Sequence, residues 1–167
     1  MKISLLTALL VLLTLSGCAT NSKRVKQAML ETNLPIIITQ QGTLYPNTAG
    51  GVDFRVDLVN TSDKTIKYVK LLLKAKNRVG DYVIDEVTGV ETKMITVTGP
   101  IKRGEHLAKY MGLMPQWTNV WYNHSIICGG VIKAKIIYMD NEEIEIDDTK
   151  LYSMIDVSRC NNATSAI

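Results

Sequence analysis

Two histidines, His106 and His124, are the first side chains to test for chemistry, since the 167 residues contain no others. His124 precedes Cys128 by four positions, a spacing that brings two metal ligands together on a helix. The surrounding run is β-like, and in a strand this spacing leaves the two side chains on one face but well apart. Zinc needs three or four ligands, and no nearby set of that size exists. We therefore expect surface histidines, no metal site and no cofactor.

Two further groups could hold a metal. Met111 and Met114 are thioethers of the kind that copper(I) prefers, so convergence with His124 would indicate a metal-handling protein. The acidic segment 140–148 lacks the glycine and the twelfth-position glutamate of a calcium loop. The alternation of its acidic residues with Ile144 and Ile146 favours a solvated strand face over a calcium site.

Large aromatic side chains concentrate in one segment, at Trp117, Trp121 and Tyr122. They could form a stacking platform for a sugar or a peptide, although such residues more often fill a core or cap the end of a sandwich. A substrate groove over Trp117–Asn123 would suit an envelope hydrolase or its inhibitor, which is one alternative. The chain has neither a GxSxG nor an HExxH motif, and no base stands out, so we expect no catalytic residues.

The N-terminus has the features of an export signal. Lys2 gives a short positive region, and Ile3–Leu15 is an apolar run of about 13 residues, which is short for a membrane span. Leu15-Ser16-Gly17-Cys18 follows and resembles the bacterial lipobox, in which the cysteine thiol accepts a diacylglycerol. The resemblance implies a cleaved signal peptide over residues 1–17 and acyl chains, palmitate among them, on Cys18.

A lipidated Cys18 would hold the mature protein on a membrane without a transmembrane helix, because two or three acyl chains give stable anchoring. Residue 19 is alanine and not aspartate, which implies sorting to the outer membrane in a host with two membranes. The chain then divides into a signal peptide (1–17), a lipidated tether (18–33) and one domain (34–167). Residues 34–167 are long enough for a substantial core.

Cys128 and Cys160 remain once Cys18 is assigned to the lipid. In an exported protein, two remaining cysteines are best interpreted as a disulfide. A metal pair and a catalytic thiol are the competing interpretations, and the absence of a CxxC spacing disfavours both. The formal charge is only +3 and no basic block exists, so nucleic acid is not expected as a partner. The expected partners are the membrane, through the acyl chains on Cys18, and an envelope protein or polysaccharide.

Residues 35–147 show the periodicity of strands. Val52, Phe54, Val56 and Leu58 alternate with charged residues, as in a half-buried antiparallel strand. The segment Thr65–Asn77 alternates too, but Ile66 and Tyr68 have the opposite parity to Val69 and Leu71. We expect a bulge near Tyr68–Val69, which would let both pairs point inward. Further short strands are expected in segments separated by turns, at Ile36–Thr39, Tyr82–Ile84, Lys93–Thr98, His106–Met111, Gln116–Asn123, Ile126–Met139, Glu143–Asp147 and Tyr152–Val157.

Parity also predicts the register of one hairpin. Ile132, Ala134, Ile136 and Tyr138 share an inward face with Ile144 and Ile146, and residues opposite each other in an antiparallel pair lie on one face. The loop therefore has an odd number of residues, three being common, and is Met139-Asp140-Asn141 or Asp140-Asn141-Glu142. Asn141 tolerates the left-handed backbone that such a loop requires.

Seven to nine short strands without a strong helix predict an all-β sandwich. A series of short segments across Val52–Ile146 resembles uncharacterised exported bacterial domains akin to the FxLYD type, which implies an immunoglobulin-like antiparallel β-sandwich. The FxLYD tag is not intact, since the corresponding stretch is Leu71–Ala75, and Asn141 stands where glycine is expected. The resemblance supplies no catalytic or binding residues. Its segments are Asp53–Val56, Asn60–Ser62, Thr65–Tyr68, Asn77–Asp81, Thr98–Ile101, Gly104, Trp121–Asn123 and Ile136–Asp140.

These features together predict a lipid-anchored binding or structural module of the cell envelope, without catalytic activity. The envelope hydrolase or inhibitor and the metal-handling lipoprotein remain as alternatives.

Overall fold

A computed structural model describes Gln27 and residues 33–107, 116–147 and 150–151. The chain divides into two compact units, Met1–Asn33 and Leu34–Ile167, and the strands all belong to the second. Seven strands are assigned in chain order: β1 (Ile36–Thr43), β2 (Gly51–Asn60), β3 (Ile66–Lys76), β4 (Thr92–Ile101), β5 (Gln116–Tyr122), β6 (Cys128–Tyr138) and β7 (Glu143–Asp147).

The strands form two antiparallel sheets, ordered β1-β2-β5 and β4-β3-β6-β7. The chain changes sheets after β2, after β4 and after β5, so that strands distant in sequence become neighbours, as in immunoglobulin-like sandwiches. Gln41 on β1 accepts a hydrogen bond from the Val131 amide of β6 at 2.9 Å and joins the two sheets along one side. The predicted all-β sandwich is confirmed.

The alternation of β2 builds the middle of the core. Val52, Phe54, Val56 and Leu58 are completely buried, as predicted. Residues of β3 and β6 cover them from the other sheet, where Leu71, Leu73, Ala134 and Ile136 are also completely buried. Burial of a large aliphatic or aromatic side chain contributes about 1.5–3 kcal/mol, so this interleaved layer accounts for the packing of the two sheets.

Two bulges decide which residues of β3 and β6 point inward. The first lies at Lys67, where the register shifts between Ile66 and Tyr68. It turns Ile66 and Val69 into the core as predicted, but Tyr68 stays half-buried on the outer face, so its inward placement is wrong. The second lies in β6 opposite Leu72–Leu73 and leaves Ile132 half-buried, so the inward placement of Ile132 is wrong as well.

The β6–β7 hairpin has the predicted parity. Ile136 pairs with Ile144 and Ala134 with Ile146, while Lys135 lies opposite Glu145. The Tyr138 amide donates to the Glu142 carbonyl at 3.0 Å, which encloses Met139-Asp140-Asn141 as a three-residue loop. Asn141 has a φ of +65°, in the left-handed region. The three-residue loop, the common inward face of Ile136 and Ile144 and the role of Asn141 are confirmed.

Two strand predictions need correction. Tyr82–Ile84 forms no strand, since only an isolated bridge joins Tyr82 to Lys76. β4 does not stop at Thr98, because Gly99 and Pro100 continue it to Ile101. Most of His106–Met111 and all of Tyr152–Val157 lie outside the described residues.

The sandwich has two poles. The proximal pole is the end where the chain enters β1, and it carries the β2–β3 loop (61–65), residues 102–107 and the β6–β7 loop (139–141). The distal pole is the opposite end and carries the β1–β2 loop (44–50), the β3–β4 loop (77–91) and the β5–β6 loop (123–127).

Candidate binding site

The cysteines occupy different parts of the chain. Cys18 and Cys160 lie outside the described residues, so the structure does not test the lipid anchor or the disulfide. Cys128 begins β6 at the distal pole and is buried. A buried position with a defined backbone suits one half of a disulfide that holds the C-terminal segment to the sandwich.

The three aromatic residues of β5 do not form one exposed platform. Trp121 is 0% exposed, and its ring meets that of Phe54 edge to face, with 6.2 Å between centroids and 81° between planes. Trp117 is half-buried against the core, and Tyr122 is half-buried. Trp121 therefore cannot offer a stacking face to a ligand. Its interpretation as a core residue is confirmed, and its alternative role in ligand binding is wrong. Burial also disfavours the hydrolase groove proposed for Trp117–Asn123.

The two histidines are far apart. His106 lies at the proximal pole, where its Nδ1 is 3.0 Å from Oδ2 of Asp57, and the Thr39 hydroxyl donates to the same carboxylate oxygen. His124 is exposed in the β5–β6 loop at the distal pole. Among the described residues, no three His, Cys, Asp or Glu side chains converge as metal ligands do. Met111 and Met114 lie outside the described residues.

A cavity of about 280 Å³ adjoins the histidine of the proximal pole. Thr98–Ile101, His106 and Leu107 line it, so the walls are mostly apolar. Because His106 also forms a β-bridge with Val59, its contact with Asp57 ties residues 102–107 to β2. The pair accordingly has a structural role.

Exposed apolar side chains concentrate at the distal pole. Among the described residues, nine large apolar side chains are exposed, and of these only Met139 lies at the proximal pole. The other eight occupy the β1–β2 loop, the β3–β4 loop and the first residues of β4: Leu44, Tyr45, Val79, Tyr82, Ile84, Val87, Val90 and Met94. A cluster of exposed apolar residues is typical of an interaction site, whereas single ones are ordinary.

Hydrogen bonds around Asp85 hold the β3–β4 loop in shape. Asp85 is 1% exposed, and its carboxylate accepts from the Tyr122 amide at 2.7 Å and from Nζ of Lys93 at 2.5 Å. The Thr88 amide and hydroxyl donate to the same carboxylate. The Asp85 backbone also bonds to Val90 and Gly89. One buried carboxylate thus ties the loop to β4 and β5.

The charge of Asp85 is strongly favoured in the folded state. Burial by itself raises the pKa of this carboxyl, but the hydrogen bonds from Lys93, Thr88 and the Tyr122 amide outweigh burial and lower the pKa to about 2. An ionised carboxylate accepts all of these donors, whereas a protonated one does not. The loop therefore keeps its frame across the whole physiological pH range.

Two asparagines complete the frame of the distal pole. Asn77 Oδ1 accepts from the Val79 and Asp81 amides at 3.1 and 3.0 Å, which closes the first turn of the β3–β4 loop. Asn123 donates to the Ile84 carbonyl at 3.0 Å and accepts from the Ser125 amide at 2.8 Å. Since the polar groups of these loops bond inward, the apolar side chains face solvent from a preorganised backbone, which lowers the entropy cost of binding.

Sequence reasoning did not identify this distal-pole cluster. Its signal in the sequence is the recurrence of valine, isoleucine and tyrosine over residues 79–90, between two strands. The sequence pattern instead predicts a strand at Tyr82–Ile84, within this segment. Only the tertiary fold places the β1–β2 loop beside it, through the pairing of Gly51 with Tyr122 and the bond from the Glu86 amide to the Tyr122 carbonyl.

Comparison with known proteins assigns the chain to no family. No family model matches the chain, and no curated protein matches it. Among solved structures, the chain is similar to IrmA from Escherichia coli, with 11% identity, a TM-score of 0.44, and coverage of 71% of this chain and 89% of that chain. Within the described residues, no helix has the length and apolarity that crossing a membrane requires.

Proposed function

We propose that this protein is a lipid-anchored, non-enzymatic binding module of the cell envelope that recognises a partner protein through its distal pole. The concentration of exposed apolar side chains on a hydrogen-bonded frame carries the proposal. Aliphatic side chains such as Val79, Val87 and Val90 favour a protein partner over a polysaccharide, because they offer buried apolar area but few hydrogen bonds.

The anchor is part of the proposal. Acyl chains on Cys18 would attach the domain through residues 18–33, which lead into the proximal pole at Leu34. The distal pole is then the end farthest from the point of attachment. The measurement is detergent phase partition of the wild-type chain and the Cys18→Ser variant. Equal partition of both proteins into the detergent phase would refute the anchor.

A disulfide between Cys128 and Cys160 is the second structural element that we propose. It would close a loop of about 33 residues and contribute roughly 3–4 kcal/mol by restricting the unfolded chain. The burial of Cys128 at the start of β6 supports it, since β6 is a central strand of its sheet. Mass spectrometry of peptides digested without reduction would detect the linked pair, and two free thiols in exported protein would refute it.

Site-specific photo-cross-linking in the native envelope tests the binding surface. A benzophenone side chain replaces Val87, which is 71% exposed at the distal pole, or Met139, which is 57% exposed at the proximal pole. We expect a discrete cross-linked protein from position 87 and none from position 139. The double variant Val87→Asp, Val90→Asp should compete poorly for that protein. Equal cross-linking at both positions would overturn the assignment of the distal pole.

A further inference from the structure

Edge strands expose unpaired backbone groups, and most of the edges in this sandwich are protected. β7 has only five residues and carries three acidic side chains, at positions 143, 145 and 147. β1 has a bulge at Thr39, and its Gln41 bonds across to β6. β5 is short and bulged opposite β2. Shortness, charge and bulges are the usual protections against unwanted strand pairing.

The Thr92–Thr98 part of β4 lacks these protections, although the strand ends in a bulge at Gly99–Pro100, where the proline blocks further pairing. The strand spans ten residues, and its pairing with β3 is unbroken from Tyr68–Thr98 to Lys74–Thr92. Among the described residues, β3 is its only neighbour in the sheet. No charged side chain occurs from Met94 to Ile101, and Lys93 is only 18% exposed because its ammonium group is bound to Asp85. Within the part of the chain that the structure describes, every second N–H and C=O of Thr92–Thr98 therefore has no strand partner on the side away from β3.

The outer face beside this edge carries an uncompensated positive charge. On β3, Lys74 pairs with Glu91 at 3.0 Å, and Lys76 lies over the Tyr82 ring. Lys70 has no acidic partner among the described residues, and the residue opposite it on β6 is another lysine, Lys135. Like charges directly opposite each other destabilise a sheet. On its other side Lys70 faces Thr96 of β4, a short neutral side chain.

The chain itself shows which strand complements such lysines. Lys133 and Lys135 on β6 are bound by Glu145 and Glu143 of β7, each at 2.6 Å. β7 alternates acidic residues outward with isoleucines inward. A strand added to β4 would lie two strand spacings from β3, about 10 Å. An extended lysine and an extended glutamate can meet over that distance above Thr96.

We propose that the free edge of β4 binds an extended segment of a partner protein by strand addition, and that this segment carries acidic residues at the outward alternating positions. Backbone hydrogen bonds to Thr92–Thr98 would supply most of the affinity, and Lys70 would select the acidic side chains. This surface shares only Met94 with the distal-pole cluster, so the inference goes beyond the function proposed above.

Binding of synthetic peptides to the full chain in detergent tests the inference, with fluorescence anisotropy as the measurement. The probes are fluorescein-labelled seven-residue peptides that alternate glutamate with valine or lysine with valine. We expect the acidic peptide to bind at least tenfold more tightly than the basic one. An acidic peptide with N-methyl groups on alternate amides keeps its charge but loses its strand donors, and it should not bind.

Charge variants locate the site. Lys70→Glu should reverse the preference between the two peptides, while Lys133→Glu, the matched change elsewhere on the same face, should alter either affinity less than twofold. Thr96→Glu should lower the affinity for the acidic peptide at least tenfold, since it places a carboxylate between Lys70 and the added strand. Circular dichroism checks that each variant remains folded.

Three results would overturn the inference. The first is an acidic peptide that fails to bind at millimolar concentration. The second is an N-methylated peptide that binds as well as its parent. The third is a concentration-dependent dimer of the chain that Thr96→Glu dissociates, since this would assign the edge to a second copy and not to a foreign segment.

Discussion

The buried carboxylate of Asp85 gives the sharpest test of how the distal pole is held together. Replacing it by asparagine keeps the size of the side chain and one acceptor oxygen but removes the charge. The new amide group then faces the Lys93 ammonium group and the Thr88 hydroxyl, which are both donors in the present structure. We expect Asp85→Asn to destabilise the folded state and to loosen the β3–β4 loop.

The size of this destabilisation follows from the pKa of the Asp85 carboxyl. The carboxyl titrates at 3.8 in its reference state and at about 2 in the folded protein. Each unit of pKa difference corresponds to about 1.4 kcal/mol, so ionised Asp85 contributes about 2.5 kcal/mol at neutral pH. Because the folded-state pKa is the lower one, this contribution is complete above about pH 4 and is lost as the pH falls from 3.8 through 2.

Urea unfolding at pH 7 and at pH 2.5 provides the assay. At pH 7 the variant should be about 2.5 kcal/mol less stable than wild type, and at pH 2.5 the difference should be smaller. Asp81→Asn is the matched control, since Asp81 is an exposed aspartate of the same loop. A difference below 0.5 kcal/mol at pH 7, or one that does not change with pH, would refute the reasoning.

Two further predictions concern the core and the hairpin. Trp121→Ala should cost about 3–5 kcal/mol in urea unfolding because it leaves a large cavity beside Phe54, whereas Trp117→Ala, a truncation of a half-buried ring, should cost clearly less. Equal losses would contradict the assignment of Trp121 to the core. Asn141→Gly should leave the unfolding midpoint nearly unchanged, while Asn141→Val should lower stability by about 1–2 kcal/mol, since a β-branched residue resists a φ of +65°. A valine variant as stable as the glycine variant would show that the loop conformation is not under this constraint.

The fold was predictable where alternation was unbroken. In β2 the inward residues Val52–Leu58 follow a strict period of two, and all of them are buried. The β6–β7 hairpin was predictable for the same reason, because a one-residue slip would expose the whole apolar set of one strand. The loop length followed from that parity, and the left-handed residue followed from the chemistry of Asn141.

Prediction failed where a partner strand shifts the phase. The change of parity after Ile66 predicts the first bulge, but at Tyr68–Val69 and not at Lys67, where the structure has it. The residues on either side of Ile132 give no local sign of the second bulge, because it depends on the register of the neighbouring strand. The sequence did not decide between core and ligand platform for the aromatic residues of β5, for a related reason. A tryptophan can serve as core or as platform, and only the position of Phe54 on β2 decides that Trp121 is core.

The sequence by itself determined the class of the molecule: short alternating strands, an all-β sandwich, and the hairpin register, because these depend on side-chain periodicity within a few residues of chain. It also carries the expectation of an export signal and of Cys18 as the lipid site. Only the tertiary structure decided which apolar residues remain in solvent and which strand edge stays open. Both properties depend on what lies opposite a residue in space. The β3–β4 loop becomes a surface because Asp85 binds Lys93 and the Tyr122 amide, and β4 becomes an edge because the chain crosses to the other sheet after Ile101.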